Sequence, residues 1–224
     1  KIVFNAWKSA EPGVLFWDTI LRESVPDCYA DLGFRTVSTN PCGEIPLCPY
    51  DSCRLLAINL YSYVDKPFTK EASFNFDKFR RHVAAAMRMM DDIIDLELEK
   101  VEAILEKISK DPEDEDIRQV EVKLWEKIRE KALQGRRTGL GITAEGDMLA
   151  ALGLRYGTDE ATDFAVEIQK TLAVEAYRTS VKMAQERGKF PIYDAGREEG
   201  NPMIERIKEA DPALYEEMVK HGRR

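Results

Sequence analysis

Histidine is nearly missing from this chain: among 224 residues only His82 and His221 occur, and neither lies near a cysteine. Cysteine is sparse too, with Cys28, Cys42, Cys48 and Cys53 separated by 14, 6 and 5 positions, so no C-x-x-C pair forms. Paired ligand spacing is therefore absent, which argues against a structural zinc site, and no metal ligand set is assigned. Nor does the pattern suit a secreted disulfide framework, given the length and the lack of an export signal. No apolar run approaches the roughly 18 residues of a membrane span. Basic charge is in deficit, with 33 Lys and Arg against 41 Asp and Glu for a net charge of −8, and no basic cluster exceeds a pair or so. A nucleic-acid surface and a membrane partner are thereby excluded as the main business. The cytoplasm is the expected location. There is no internal repeat, no low-complexity linker and no initiating Met: the chain opens at Lys1 and stops at Gly222-Arg223-Arg224. It reads as a segment of something longer.

What is present describes an ordered globular protein, 44% hydrophobic and 33% charged, large enough for one sizeable core. Trp7, Leu15, Phe16, Trp17, Ile20 and Leu21 mark a helix end, a Glu11-Pro12-Gly13 turn and a second helix from near Val14. Residues 25–53 are rich in loop formers, including Pro26, Gly33, Pro41, Gly43, Pro46 and Pro49. Leu55 to Tyr61 predicts a buried strand. Phe79, Val83, Ala86, Met87, Met90, Ile93 and Ile94 predict a helix over about 76–96, followed by a solvated helix end and an exposed connection through 116. A helix over 117–134 is expected to bury Val120, Leu124 and Ile128. Further helices are predicted at about 144–152, 159–188, 202–210 and 212–221, with Gly153 and Gly188 as C′ residues. One clear strand, two more at best, and six or seven helices predict a helix-rich α/β fold whose sheet is incomplete.

Several motifs have plain readings. Gly139-Leu140-Gly141 completes neither G-x-G-x-x-G nor a P-loop, because the next glycine is Gly146; close backbone packing or a helix N-terminus is the better reading. Arg136 and Arg137 read as surface charge, Met87, Met89 and Met90 as core, and His82 as a satisfied or exposed histidine.

The stretch Asn40-Pro41-Cys42-Gly43-Glu44, with Cys53 eleven residues after Cys42, is different. Amide, thiol and carboxylate alternate, and in an extended loop alternate side chains project to one side, facing one substrate together. Cysteine carries an electron or a hydrogen atom, Glu moves a proton, and two thiols can end as a disulfide.

Thr39 to Leu47, then Asp51-Ser52-Cys53 and Ala57 to Leu60, closely resemble the catalytic subunit of ribonucleotide reductase. The resemblance continues at Glu11 to Asp18, at Arg136 to Thr143 and at Leu152 to Gly157. Pro41 and Gly43 beside Cys42 resemble the adenosylcobalamin-dependent class II branch, whereas class I large subunits more often place Leu before that cysteine. Ala144-Glu145-Gly146 departs slightly from the family's Gly-Leu-Ala at that place.

The resemblance implies a ten-stranded α/β barrel of two five-stranded halves, of which residues 1–224 form the central part: a finger loop over 38–53 and a helical remainder over 70–224, with the N- and C-terminal parts of the parent absent. It implies that Cys42 becomes a thiyl radical by way of adenosylcobalamin and takes the ribose 3′ hydrogen. Glu44 is the implied base on the 3′-hydroxyl and Asn40 the implied substrate hydrogen-bonding group. Cys53 is one of two implied reducing cysteines, its partner lying upstream of Lys1. No residue here is assigned to holding the cofactor. A phosphate-binding segment is implied after Arg224, and dNTP and ATP effectors bind outside the segment. The implied partners are a ribonucleotide, a diphosphate in the longer class II forms, a thioredoxin-like or glutaredoxin-like reductant, and a second copy of the parent in a homodimer. Turnover by the 224 residues alone is not expected. Two alternatives stay open: a class I large subunit served by a separate radical-generating subunit, and a non-catalytic thiol or metal-binding module.

Overall fold

The computed structural model describes residues 1–52 and 54–224. Two helices open the chain, α1 (Ile2–Ser9) and α2 (Trp17–Glu23), the second starting three residues later than the Val14 expectation. A 3-10 stretch (Pro26–Leu32) leads to an antiparallel hairpin of β1 (Ser38–Thr39) and β2 (Pro46–Leu47). The expected strand is β3 (Leu55–Asn59), and a second short antiparallel pair follows, β4 (Val64–Asp65) with β5 (Ser73–Phe74). The long helices are α3 (Phe76–Ser109), α4 (Glu115–Gly135) and α6 (Asp159–Arg187); between the last two lie β6 (Gly139–Thr143) and α5 (Glu145–Leu152). The chain closes with α7 (Ala195–Glu198), α8 (Pro202–Ala210) and α9 (Pro212–His221). The fold is helix-rich α/β, as expected.

Helix boundaries follow capping chemistry. Asn75, Thr158, Asn201 and Asp211 each accept a backbone N–H from the first turn of α3, α6, α8 and α9, and Pro202 and Pro212 stand where a missing N–H costs nothing. Gly153 closes α5 in the left-handed conformation, as predicted.

β3 and β6 pair in parallel, Leu55 opposite Gly139 through Asn59 opposite Thr143, with α3 and α4 forming the crossover that parallel strands require. β6 is a strand that the reading of Gly139-Leu140-Gly141 as close backbone packing or a helix N-terminus did not name. Leu140 and Ile142 alternate inward there, and Gly139 is required because a Cβ would stand 2.6 Å from the Arg54 carbonyl oxygen. Close backbone packing thus holds at Gly139, while Gly141 meets open space. Leu56, Ile58, Leu140 and Ile142 face a core with Leu60, Phe79, Val83, Met148 and Ile168. Each such fully buried side chain contributes about 1.5–3 kcal/mol. The other face carries Leu55, Ala57 and Gly141 and stays open among the described residues. The strand expected to be buried is therefore buried on one side only.

The expected exposed connection after residue 96 is also corrected: α3 runs on to Ser109. Ile94, Val101 and Ile108, seven residues apart, form a buried seam, while Glu99, Lys100, Glu102, Glu106 and Lys107 are exposed. On α4 the buried residue is Ala132, with Trp125 and Ile128 half-buried, while Val120 is 68% exposed and Leu124 43% exposed. The predicted face is thus rotated away from the core. Met87 and Met90 are core, but Met89 is exposed. His82 is exposed and hydrogen-bonded to the Tyr63 hydroxyl at 2.9 Å.

Arg136 is not surface charge. It caps α4 with φ +42 and is buried against Asp91, itself 2% exposed. Arg136 Nε donates to Asp91 Oδ1 at 2.7 Å, and Arg224 Nε and Arg187 Nη1 donate to Oδ2 at 2.7 and 3.1 Å. Arg187 also pairs with Asp92 and Arg136 with Asp95. Three guanidiniums thus hold three carboxylates, an ion-pair knot rather than a cation site. Burial alone would raise the Asp91 pKa; the Arg224 and Arg136 hydrogen bonds outweigh it and hold the carboxyl below its ordinary range. Among the described residues no helix is long and apolar enough to cross a membrane.

Candidate active site at the thiol loop

The turn between β1 and β2 is built by position 40. Asn40 N donates to Ile45 O at 3.2 Å, and the Asn40 carbonyl accepts from Gly43 N at 3.0 Å, with Pro41 supplying the fixed φ a turn prefers. With that carbonyl engaged, the side-chain Oδ1 of Asn40 takes the next ladder bond, accepting from Ile45 N at 2.9 Å. Gly43 adopts φ +85, and the Leu15 Cδ2 methyl lies 3.3 Å from where a Cβ would stand. Both the conformation and the close neighbour demand glycine.

This geometry changes the premise that the loop is extended. Residues 40–43 form a turn, so alternation does not put the three side chains on one face. Asn40 is buried and turned into its own loop, whereas Cys42 and Glu44 are exposed at the tip. Among the described residues neither Cys42 nor Glu44 makes a side-chain hydrogen bond or ion pair. Cys53 lies outside the described residues. The structure therefore brings Cys42 and Glu44 to one exposed tip and gives Asn40 the task of shaping it.

The return arm of the hairpin is held from below. Arg137 pairs with Asp51 and donates from Nη2 to the Pro46 carbonyl at 2.7 Å. Arg54 pairs with Glu97 of α3 and donates from Nη1 to the Arg137 carbonyl at 2.9 Å. Asp51 also accepts from Ser52 N at 2.9 Å and from Cys48 Sγ at 3.6 Å. Cys48 is buried with Tyr29, Phe34, Phe190 and Tyr193; burial first and the Asp51 charge second push its thiol up to about 11. A buried thiol held protonated packs as a small apolar group. Cys28, half-buried, is likewise raised by burial and by Glu198.

Sequence reading missed these supports. Asp91 carried a signal, since it falls between Met87 and Ile94 on the apolar stripe of α3 and so had to be buried with partners. For Arg137 and Asp51, 86 positions apart, no local signal exists. A cavity of about 490 Å³ lies behind the loop, lined by Ile45, Pro46, Arg137, Leu172, Tyr177 and Arg223 among others. Asn40, Cys42 and Glu44 do not line it, so it is not by itself a chamber for the reactive tip.

The vitamin B12-dependent ribonucleoside-diphosphate reductase of Thermoplasma acidophilum is 33% identical over 192 residues, covering 86% of this chain and 21% of that protein. The enzyme of the same name from Mycobacterium tuberculosis strain H37Rv is 32% identical over 193 residues, covering 86% and 22%. The ribonucleoside-diphosphate reductase subunit alpha of Chlamydia pneumoniae is 25% identical over 201 residues, covering 88% and 16%. The chain thus spans about a fifth of the length of the first two. The family model described as the barrel domain of ribonucleotide reductase matches residues 1–224 in full, and the chain belongs to that family.

Proposed function

We propose that this chain is the central part of the catalytic barrel of an adenosylcobalamin-dependent enzyme that reduces ribonucleoside diphosphates to 2′-deoxyribonucleotides. The observation that carries the reading is the exposed Cys42–Glu44 tip of a hairpin closed by Asn40, in a chain matched end to end by the barrel-domain family. The parallel β3–β6 pair, with helices on one face and the other face open, suits two neighbouring strands of a ten-stranded barrel. Ile45 approaches that open face, its Cδ1 lying 3.2 Å from a Cβ placed on Gly139, which supports residues 38–53 as a finger loop directed inside.

In this reading Cys42 gives up its hydrogen atom and, as a thiyl radical, takes the 3′ hydrogen of the ribose. Glu44 accepts the 3′-hydroxyl proton and later returns it. The 2′-hydroxyl leaves as water with a proton from one reducing thiol, and the second reducing thiol supplies the hydrogen that C2′ gains. Cys42 gives its hydrogen back to C3′ as the thiyl radical re-forms. Two cysteines, Cys53 and one outside the chain, end as a disulfide that a thioredoxin-like or glutaredoxin-like protein reduces. Asn40 Oδ1 is engaged by Ile45 N, so its contribution to the substrate is through the amide nitrogen and through the shape of the tip. The Cys42 thiol suits a bulky radical source because it is exposed at a tip. Adenosylcobalamin, when bound to the parent, would supply the radical chemistry needed to remove the hydrogen atom that Cys42 holds at the tip. Cytoplasmic location and homodimerisation of the parent complete the proposal.

Assay of the full-length parent with a ribonucleoside diphosphate tests the reading. Deoxyribonucleotide should form only when adenosylcobalamin is added, with no second subunit, and Cys42→Ser should abolish it. Turnover without adenosylcobalamin but with a radical-generating subunit would move the protein to class I. Turnover by the 224 residues alone would overturn the fragment reading.

A further inference from the structure

The thiol loop is a two-stranded hairpin of only two residues per strand, and such a hairpin is not stable by itself. Its own bonds set the turn, but nothing in it sets where the tip stands relative to the sheet. Beyond the apolar contacts of Ile45 and Cys48, one side chain grips the return arm with polar bonds at two points. The Arg137 guanidinium reaches the hairpin at two points of its return arm: Nη1 pairs with the Asp51 carboxylate, 4% exposed, and Nη2 donates to the Pro46 carbonyl at 2.7 Å. Pro46 is itself the first residue of β2, paired with Thr39 immediately before Asn40. Arg137 sits two residues before β6, and its carbonyl is tied through Arg54 to Glu97 on α3. A continuous path of hydrogen bonds therefore runs from α3 through Arg54 and Arg137 to the base of the reactive turn.

We infer that Arg137, held by Arg54 and gripping Asp51 and Pro46, is a positioning residue that fixes the reach of the Cys42–Glu44 tip. The inference rests on the proposed chemistry, because hydrogen-atom transfer needs the thiol at contact distance from the ribose carbon. A misplacement on the order of 1 Å costs about 10²-fold in rate. The fork geometry matters: a planar guanidinium meets the carboxylate and the carbonyl together, whereas a lysine ammonium is a single point charge. Arg137 touches no reacting atom, and its effect passes through the loop.

Two measurements test this. In the full-length parent, Arg137→Ala should lower kcat about 10²-fold and leave KM for the nucleotide within about twofold, with Arg137→Lys falling between. In the 224-residue chain, Cys48, buried beside Asp51, should resist alkylation in the wild type. It should react at least about tenfold faster in Arg137→Ala and Asp51→Asn once the arm loosens, since a tenfold change corresponds to the roughly 1.4 kcal/mol of a weakened grip. Thermal unfolding of each variant reports whether it folds, and Asp51→Asn, which keeps the Pro46 bond, serves where Arg137→Ala does not fold. A wild-type kcat in Arg137→Ala, unchanged Cys48 protection, or a kcat fully restored by Lys along with stability would overturn the inference. If Cys42→Ser retains turnover, the thiol-loop reading itself falls; if Cys42→Ser is inactive and Arg137→Ala is not impaired, only the positioning role falls.

Discussion

Around Asp91, three guanidiniums converge on one carboxylate that is 2% exposed, joining α3, the end of α4, the end of α6 and Arg224. At the thiol loop, Cys42 and Glu44 stand in solvent without a side-chain hydrogen bond among the described residues, and the backbone beneath them is shaped by one amide. The first region concentrates charge around a buried carboxylate, so losing Asp91 deprives the buried Arg136 and the half-buried Arg224 of their shared partner. The second keeps its reactive groups free of partners, so they remain available to a substrate. Stability and chemistry are thus assigned to separate residues. A mutation should reveal which region it hits by whether it moves the unfolding curve or the rate.

The sharpest break in that comparison is Cys42→Ser. In the full-length parent it should lower turnover by about 10³-fold or more, while the melting temperature of the 224-residue chain stays within about 1 °C. Asp91→Asn should do the reverse, costing about 3–5 kcal/mol in urea unfolding because Arg136, Arg187 and Arg224 lose their shared charge. The sign of its pH dependence follows. A folded-state pKa held below the unfolded value of about 3.9 means the knot contributes fully above that value and fades as the pH falls through the lower folded one. Wild-type stability should carry that acid-side loss below about pH 4, and Asp91→Asn should lack it. Asn40→Ala falls between the regions: it leaves Ile45 N–H without its acceptor at a cost of about 1–3 kcal/mol, seen as faster amide exchange at Ile45. Asn40→Asp, which keeps an acceptor, should preserve protection. Smallest is Val120→Ser on the outward side of α4, expected to change stability by less than about 0.5 kcal/mol; a larger loss would mean that α4 is turned differently.

Legibility in the sequence followed the range of the forces involved. Helices α5, α6, α8 and α9 were readable nearly to the residue because Thr158, Asn201, Asp211, Pro202, Pro212 and Gly153 act within one turn. The continuation of α3 was hidden, since seven-residue spacing of Ile94, Val101 and Ile108 is diluted by the surrounding Glu and Lys. β6 was hidden by its two glycines, of which Gly139 lacks a side chain to make room for a neighbour far along the chain. In the site, Cys42 and Glu44 were named by residue type and resemblance, and both stand at the tip. The burial of Asn40 was not visible, because an extended loop and a closed turn have the same sequence. Arg137 and Asp51 meet only through the parallel pairing of β3 with β6, which no local pattern announces.

Closure of the turn by Asn40 has a consequence for how this protein can change. Every bond that closes it runs among positions 40, 43 and 45, through main-chain atoms or the Asn40 amide. The side chains at 42 and 44 contribute nothing to that frame. The tip is therefore an exchangeable cassette: its reactive groups can be replaced one at a time, by selection or in the laboratory, while the scaffold that presents them keeps its form.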